Sequence, residues 1–265
     1  MPNSELSSKQ TNINGAGIPT EVEVKTLLEH CQKGRYDLAE TLATEITHTY
    51  PDYQFTWKVL GVVLGNTGKI QQSLFANQRA VELFPNDAEA HINLGNTLKE
   101  LSIHEEAETS YKKAISIKPE LAVAHNNLGI TQQELGRLED AKTSYRKAIA
   151  FKPEYAEAYY NLGNTLKVLG RLEDAETTYR KAIDIRPEFA EAHCNLGTTL
   201  QEVGRLEDAE TSYRKAIAIR PDLQNANSGL GKLLIKRNLH KEGLDIIRSA
   251  CGSICFDVIN GLIIK

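Results

Sequence analysis

The chain is poor in several of the features that would announce a chemistry. Four cysteines among 265 residues (Cys31, Cys194, Cys251 and Cys255) are too scattered for a disulfide framework, and so low a density suits a reducing compartment. No apolar run approaches the roughly 18 residues that would span a bilayer. A net charge of −4 gives no electrostatic ground for nucleic acid or an anionic membrane. The first residues, MPNSELSSKQTNINGAGIPT, have neither an apolar core nor a basic start. They are expected to be a disordered polar tail over 1–19 rather than a secretory signal, with cytoplasmic residence as the default.

Chemistry-bearing constellations are missing as well. No Gly-rich phosphate loop follows a strand, and no Ser-His-Asp set is recognisable. Cys251 and Cys255 stand four apart with no second ligand pair behind them. The expectation is no enzyme, no cofactor and no metal.

What is present is a period. Of eight prolines, six recur every 34 residues: Pro51, Pro85, Pro119, Pro153, Pro187 and Pro221. A fixed period of this length means that one supersecondary unit is copied along the chain. With each proline at position 32, the units are 20–53, 54–87, 88–121, 122–155, 156–189, 190–223 and a final 224–252. In 156–189, Tyr159, Leu162, Leu166 and Leu169 form one helical stripe, Gly170 and Arg171 make a turn, and Leu172, Ala175, Tyr179, Ala182 and Ile183 form a second stripe. Pro187 stops the second helix.

Glycine inside the first helix (Gly61, Gly95, Gly129, Gly163, Gly197, Gly231) costs about 1 kcal/mol against alanine. Its recurrence predicts a contact that tolerates no side chain. Ala175 and Ala182 and their equivalents match it on the second helix, and Tyr111, Tyr145, Tyr179 and Tyr213 fill the larger gap between units. His91, His125 and His193 share position 4 with Trp57 and Tyr159, which makes them packing residues. The paired acids Glu139-Asp140, Glu173-Asp174 and Glu207-Asp208 read as solvated caps of second helices.

Tyr159, Leu162, Gly163, Ala175, Tyr179, Ala182 and Pro187 are similar to the pattern of the tetratricopeptide repeat, and the resemblance covers about residues 20–252. It implies an all-α, right-handed superhelical solenoid of about seven helix-turn-helix repeats. The end units depart from the pattern: Thr26 and Leu27, Ser73 and Asn77, and Gly243 and Ile247 stand at its marked sites, as expected of capping units. Beyond them, 253–265 is apolar and β-branched. Its Asn260-Gly261 predicts a short C-terminal β-hairpin with a two-residue turn. The segment would pack on the last helix, pair with another chain as a homodimer contact, or fray.

By the same resemblance, first helices line a concave groove through positions 2, 5, 6, 9, 12 and 13. Position 6 is Asn93, Asn127, Asn161 and Asn195. Asparagine has mediocre helix propensity and no apolar area to bury, but its amide can pair with the backbone of an extended peptide whatever the peptide's sequence. The row resembles the asparagine ladder of the repeats that precede the catalytic domain of O-linked N-acetylglucosamine transferases. Against this stands a structural reading, in which the asparagines bond to neighbouring helices or are copies left by duplication. Asn96 and Asn164 at position 9, Lys99 and Lys167 at position 12, and Tyr160 at position 5 complete the expected peptide-binding residues. The lysines would take an acidic side chain, and Tyr160 an apolar one. A clamp for chaperone carboxylate termini is not expected, because Ile92 and Tyr160 occupy its lysine sites. The expected function is a non-catalytic scaffold for a protein or peptide. Its rivals are a substrate-recruiting module for a glycosyltransferase acting in trans, and assembly of copies through 253–265.

Overall fold

The computed structural model describes residues 17–251, 254–257 and 261–264, with side chains to 248. Most of the expected polar tail therefore lies outside the described residues. The chain divides into two compact units, 1–131 and 132–265. In the first lie α1 (Glu21–Gln32), α2 (Tyr36–Thr49), α3 (Gln54–Asn66), α4 (Ile70–Leu83), α5 (Ala88–Glu100) and α6 (His104–Ile117). Helix α7 (Ala122–Glu134) runs across the division. The second unit holds α8 (Leu138–Phe151), α9 (Ala156–Val168), α10 (Leu172–Ile185), α11 (Ala190–Glu202), α12 (Leu206–Ile219), α13 (Gln224–Lys236) and α14 (His240–Cys251). Within each unit successive helices pack on one another, and the first helices of neighbouring pairs also touch: α3 with α5, α9 with α11 and α11 with α13. The fold is an all-α solenoid of helix pairs. No helix among the described residues is long and apolar enough to cross a membrane.

Each pair turns on one backbone feature. The residue two beyond the first helix takes positive φ: Gly34, Gly68, Gly136, Gly170 and Gly204 lie between +66° and +81°. Glycine carries no Cβ penalty there. Ser102 and Asn238 hold the same position at φ 60° and 66°, so these two turns are strained where the other five are not.

The glycine within the first helix makes the close contact its recurrence predicts, but with the residue at position 24 of its own unit rather than with the alanines expected to match it. A Cβ on Gly95, Gly163 or Gly197 would stand 2.7, 2.6 or 2.9 Å from the ring of Tyr111, Tyr179 or Tyr213. The phenol ring therefore lies flat on bare backbone, and these tyrosines are essentially fully buried. Alanines at positions 20 and 27, such as Ala107, Ala114, Ala175 and Ala182, are buried completely and let the second helix approach.

Position 4 secures the turn between units. Trp57 Nε1 donates to the Pro51 carbonyl at 2.8 Å, and Asn227 Nδ2 to that of Pro221 at 2.8 Å. Nε2 of His91, His125 and His193 lies 2.9, 2.8 and 3.0 Å from the carbonyls of Pro85, Pro119 and Pro187. A carbonyl only accepts, so each ring carries its proton on Nε2. The recurrence of histidine is thus a recurrence of one N–H donor, which tryptophan and asparagine also supply.

At the C-terminus β1 (Ile254–Asp257) pairs antiparallel with β2 (Gly261–Ile264) in the register Ile254 to Ile264 and Asp257 to Gly261. Gly261 therefore opens the second strand, while Asn260 falls outside the described residues.

Candidate functional site

In the first unit the exposed edge of α5 and the facing side of α7 bring Asn93, Asn96, Lys99 and Asn127 into one region. Asn127 Nδ2 donates to Asn96 Oδ1 at 2.9 Å, and the same oxygen accepts from the Tyr111 hydroxyl at 2.8 Å. In the second unit the arrangement repeats. Asn195 Nδ2 donates to Asn164 Oδ1 at 2.8 Å, and Tyr179 donates its hydroxyl to that oxygen at 2.8 Å. Each relay therefore runs from a buried phenol, through a position-9 carboxamide, to the position-6 asparagine of the next pair. The asparagines expected to face a ligand are in part held by their own fold, as the structural alternative anticipates.

That tie has a chemical consequence. With Nδ2 committed inward, the amide plane is fixed, and Asn195 Oδ1 has no hydrogen-bond partner among the described residues. Asn127 Oδ1 accepts only a long 3.4 Å contact from Asn126 Nδ2. Both side chains are half-buried, so these two oxygens, one unbonded and one with only the long contact, sit on locked amides at the surface. Asn93 differs. The preceding position 9 is Val62, which offers no acceptor, and the Asn93 amide has no side-chain partner among the described residues. Asn161 lies one turn from Asn164 on α9 and is itself partnered.

Tyr160 does not stand free for an apolar group. Its ring lies 4.8 Å from that of Phe189 and 6.1 Å from that of Tyr179, and its hydroxyl oxygen accepts from Asn195 Nδ2 at 3.2 Å. Arg186 caps the outer face of Phe189 at 3.9 Å. Burial pushes the Tyr160 phenol up, so it stays protonated at any physiological pH. Burial also pushes the neighbouring Cys194 thiol up to about 11, which keeps it neutral and unreactive. Lys99 and Lys167 are half-buried and form no ion pair with an acid among the described residues, so both cations remain available.

Hydrogen bonds join positions 9, 12 and 24, which the recurrence at any single position does not reveal. Tyr145 reaches Gln133 Oε1 at 3.4 Å, and Tyr213 reaches Thr198 at 3.2 Å and Gln201 at 3.3 Å. The available signal was a spacing: a hydrogen-bonding side chain 12 or 15 residues before each position-24 tyrosine.

Four family models match the chain: TPR repeat over 133–170, and tetratricopeptide repeat over 88–121, 110–143 and 154–222. Among solved structures the chain is similar to MamA, at 26% identity over 61% of this chain and 95% of that one, with a TM-score of 0.57. It is also similar to YrrB, described as a TPR protein with an unusual peptide-binding site, at 23% identity over 69% and 95%, TM-score 0.56. PilW, a type IV pilus biogenesis factor, shares 19% identity over 80% of this chain and all of that one, TM-score 0.73. The last two likenesses carry the fold alone. No curated protein matches the sequence.

Proposed function

Because the chain is an array of tetratricopeptide repeats, we propose that it is a non-catalytic scaffold whose first-helix faces hold an extended peptide. The observation that carries this reading is the pair of locked amides. Asn127 and Asn195 are fixed by bonds to Asn96 and Asn164 and leave their Oδ1 atoms without a short bond. An acceptor held in place loses little freedom on binding, so each bond to a peptide N–H keeps more of its worth. Asn93 and Asn161 extend the row on α5 and α9, Lys99 and Lys167 offer unpaired cations to an acidic residue, and Tyr160 shapes the wall beside Asn195.

Peptides selected from a random display library on the intact chain test this. Replacing Asn93, Asn127, Asn161 and Asn195 together by alanine should weaken the selected peptides by about tenfold or more. Unchanged affinity would sink the ladder. Some stability falls too, about 0.5–1.5 kcal/mol for each internal bond removed at Asn127 and Asn195.

The position-6 row, which resembles that of glycosyltransferase-associated repeats, supports a second reading: the faces select substrates for an enzyme acting in trans. A pull-down that recovers a transferase with the wild-type chain, and loses it with the alanine variant, separates this from a general scaffold.

A further inference from the structure

The relay of phenol, position-9 amide and position-6 amide is broken at one place in the first unit. At position 24 of α4 stands Asn77 instead of tyrosine, and at position 9 of α3 stands Val62 instead of a carboxamide or hydroxyl. Both missing members would have occupied the same space. The Asn77 amide covers Gly61, where a Cβ would stand 2.2 Å from its Oδ1, but it is shorter than a phenol. Beyond it lies a recess of about 250 Å³ lined by Gly61, Val62, Gly65, Asn77, Asn93 and Glu100 among others.

The floor of the recess has a defined polarity. The Ser73 hydroxyl gives its proton to the Gly61 carbonyl at 2.7 Å, and Thr97 gives its own to the Asn93 carbonyl at 3.1 Å. The two hydroxyl oxygens also stand 3.2 Å apart, and each keeps a lone pair for a further donor. Both accept from Asn77 Nδ2, at 3.3 and 3.0 Å, which sets the amide orientation. Asn77 Oδ1 is then turned onto Gly61, where a Cβ would stand 2.2 Å away. This oxygen is buried without a hydrogen-bond partner, in a side chain 1% exposed. At the mouth, the Asn93 amide is likewise uncommitted.

Elsewhere the same protein shows what fills such a space. Phenol rings lie on the equivalent glycines Gly95, Gly163 and Gly197. A position-6 amide, Asn195 Nδ2, donates to the phenol oxygen of Tyr160 at 3.2 Å. Ring and oxygen thus both have internal templates.

Resting on the reading of the first-helix face as a peptide site, we propose that this recess is a subsite for a tyrosine side chain of the bound peptide. The ring lies beside the Asn77 amide, over Gly65 and against Val62. The phenol oxygen accepts from Asn93 Nδ2, and its proton goes to the Glu100 carboxylate or to water.

The test is an NMR titration of the full chain with N-acetyl-tyrosine amide and N-acetyl-phenylalanine amide. Expected are saturable shifts at the Gly61 and Gly65 amides and the Asn93 side chain, with the tyrosine probe binding about two- to tenfold more tightly, the worth of one neutral hydrogen bond. Asn77→Tyr rebuilds the pairing seen at Gly95 with Tyr111, fills the recess and should abolish the shifts. Asn93→Ala, at the surface, should keep the binding and lose the preference for tyrosine. Absent shifts in the wild-type chain, or shifts that persist in Asn77→Tyr, overturn the subsite. Display-selected peptides separate it from the wider reading. If they lose affinity in the four-asparagine variant but not in Asn77→Tyr, the subsite is wrong and the groove stands. Saturable tyrosine binding in a chain that holds no peptide refutes the groove and leaves the recess.

Discussion

Replacing Asn164 by alanine would show whether the position-9 asparagines belong to the fold. Asn164 Oδ1 accepts from the Tyr179 hydroxyl and from Asn195 Nδ2, both at 2.8 Å. Tyr179 is fully buried, so its hydroxyl would be left without this acceptor and out of reach of water, a cost of about 1–3 kcal/mol. Asn195 is half-buried and keeps its contact to Tyr160 at 3.2 Å, so its loss adds only about 0.5 kcal/mol. Asn164→Ala should therefore cost about 2 kcal/mol, which for a chain of this size lowers Tm by roughly 4–8 °C. Tyr179→Phe removes the donor while Asn164 stays satisfied by Asn195, and should cost about 1 kcal/mol. In the Tyr179→Phe background the alanine change strands no buried hydroxyl, so the coupling between the two sites is about 1 kcal/mol. Urea melts followed by circular dichroism on the four chains of the cycle measure this. Equal costs of Asn164→Ala in both backgrounds would refute the relay.

Other outcomes follow from single features. Ser102→Gly should relieve the one strained serine turn, at φ 60°, and raise stability by about 1 kcal/mol; a lower urea midpoint would contradict this. Gly163→Ala would bring its Cβ to 2.6 Å from the Tyr179 ring and should cost about 1–3 kcal/mol in the same assay, well beyond a helix-propensity change of the opposite sign. Burial holds His193 below its ordinary 6.5, so the unfolded chain takes up a proton before the folded one does. Its contribution is complete above about pH 6.5 and is lost as pH falls toward the depressed folded value. His193→Asn, copying the bond that Asn227 makes to Pro221, should flatten that part of the pH dependence of the urea midpoint. Light scattering of the chain cut after Gly252 tests assembly through 253–265: a smaller mass supports it and an unchanged mass removes it.

The helices were legible because each rests on local signals: apolar stripes, a turn residue at position 15 and a proline at position 32. That Gly163 needs a bare contact could be read as well, since a glycine costly to a helix recurs, but its partner could not: the expected match was alanine, and the ring of Tyr179 in the same unit takes that place. His91 and its equivalents were recognisable as structural from sharing a position with Trp57, although the shared N–H bond to a proline carbonyl was not. The relays were hidden for a different reason. Repeat comparison shows what recurs at one position, whereas a hydrogen bond joins different positions, 12, 15 or 31 residues apart. The recess at Asn77 was hidden for the same reason. Asn77 and Val62 look like two separate irregularities of an end unit until α3 and α4 are packed together. Position 6 stands out in the sequence by its asparagines, but in the structure they divide. Asn127 and Asn195 are anchored from within, and Asn93 is not.

The central claim, that the position-6 row reads the backbone of an extended peptide, is tested most directly on the side-chain amide resonances of Asn93, Asn127, Asn161 and Asn195. A display-selected peptide titrated into the labelled chain should saturably shift the sets of the unit it occupies, Asn93 with Asn127 or Asn161 with Asn195, with Asn127 and Asn195 keeping their bonds to Asn96 and Asn164. A peptide that binds equally well while these resonances stay where they are would place recognition elsewhere and assign the asparagines to the fold alone.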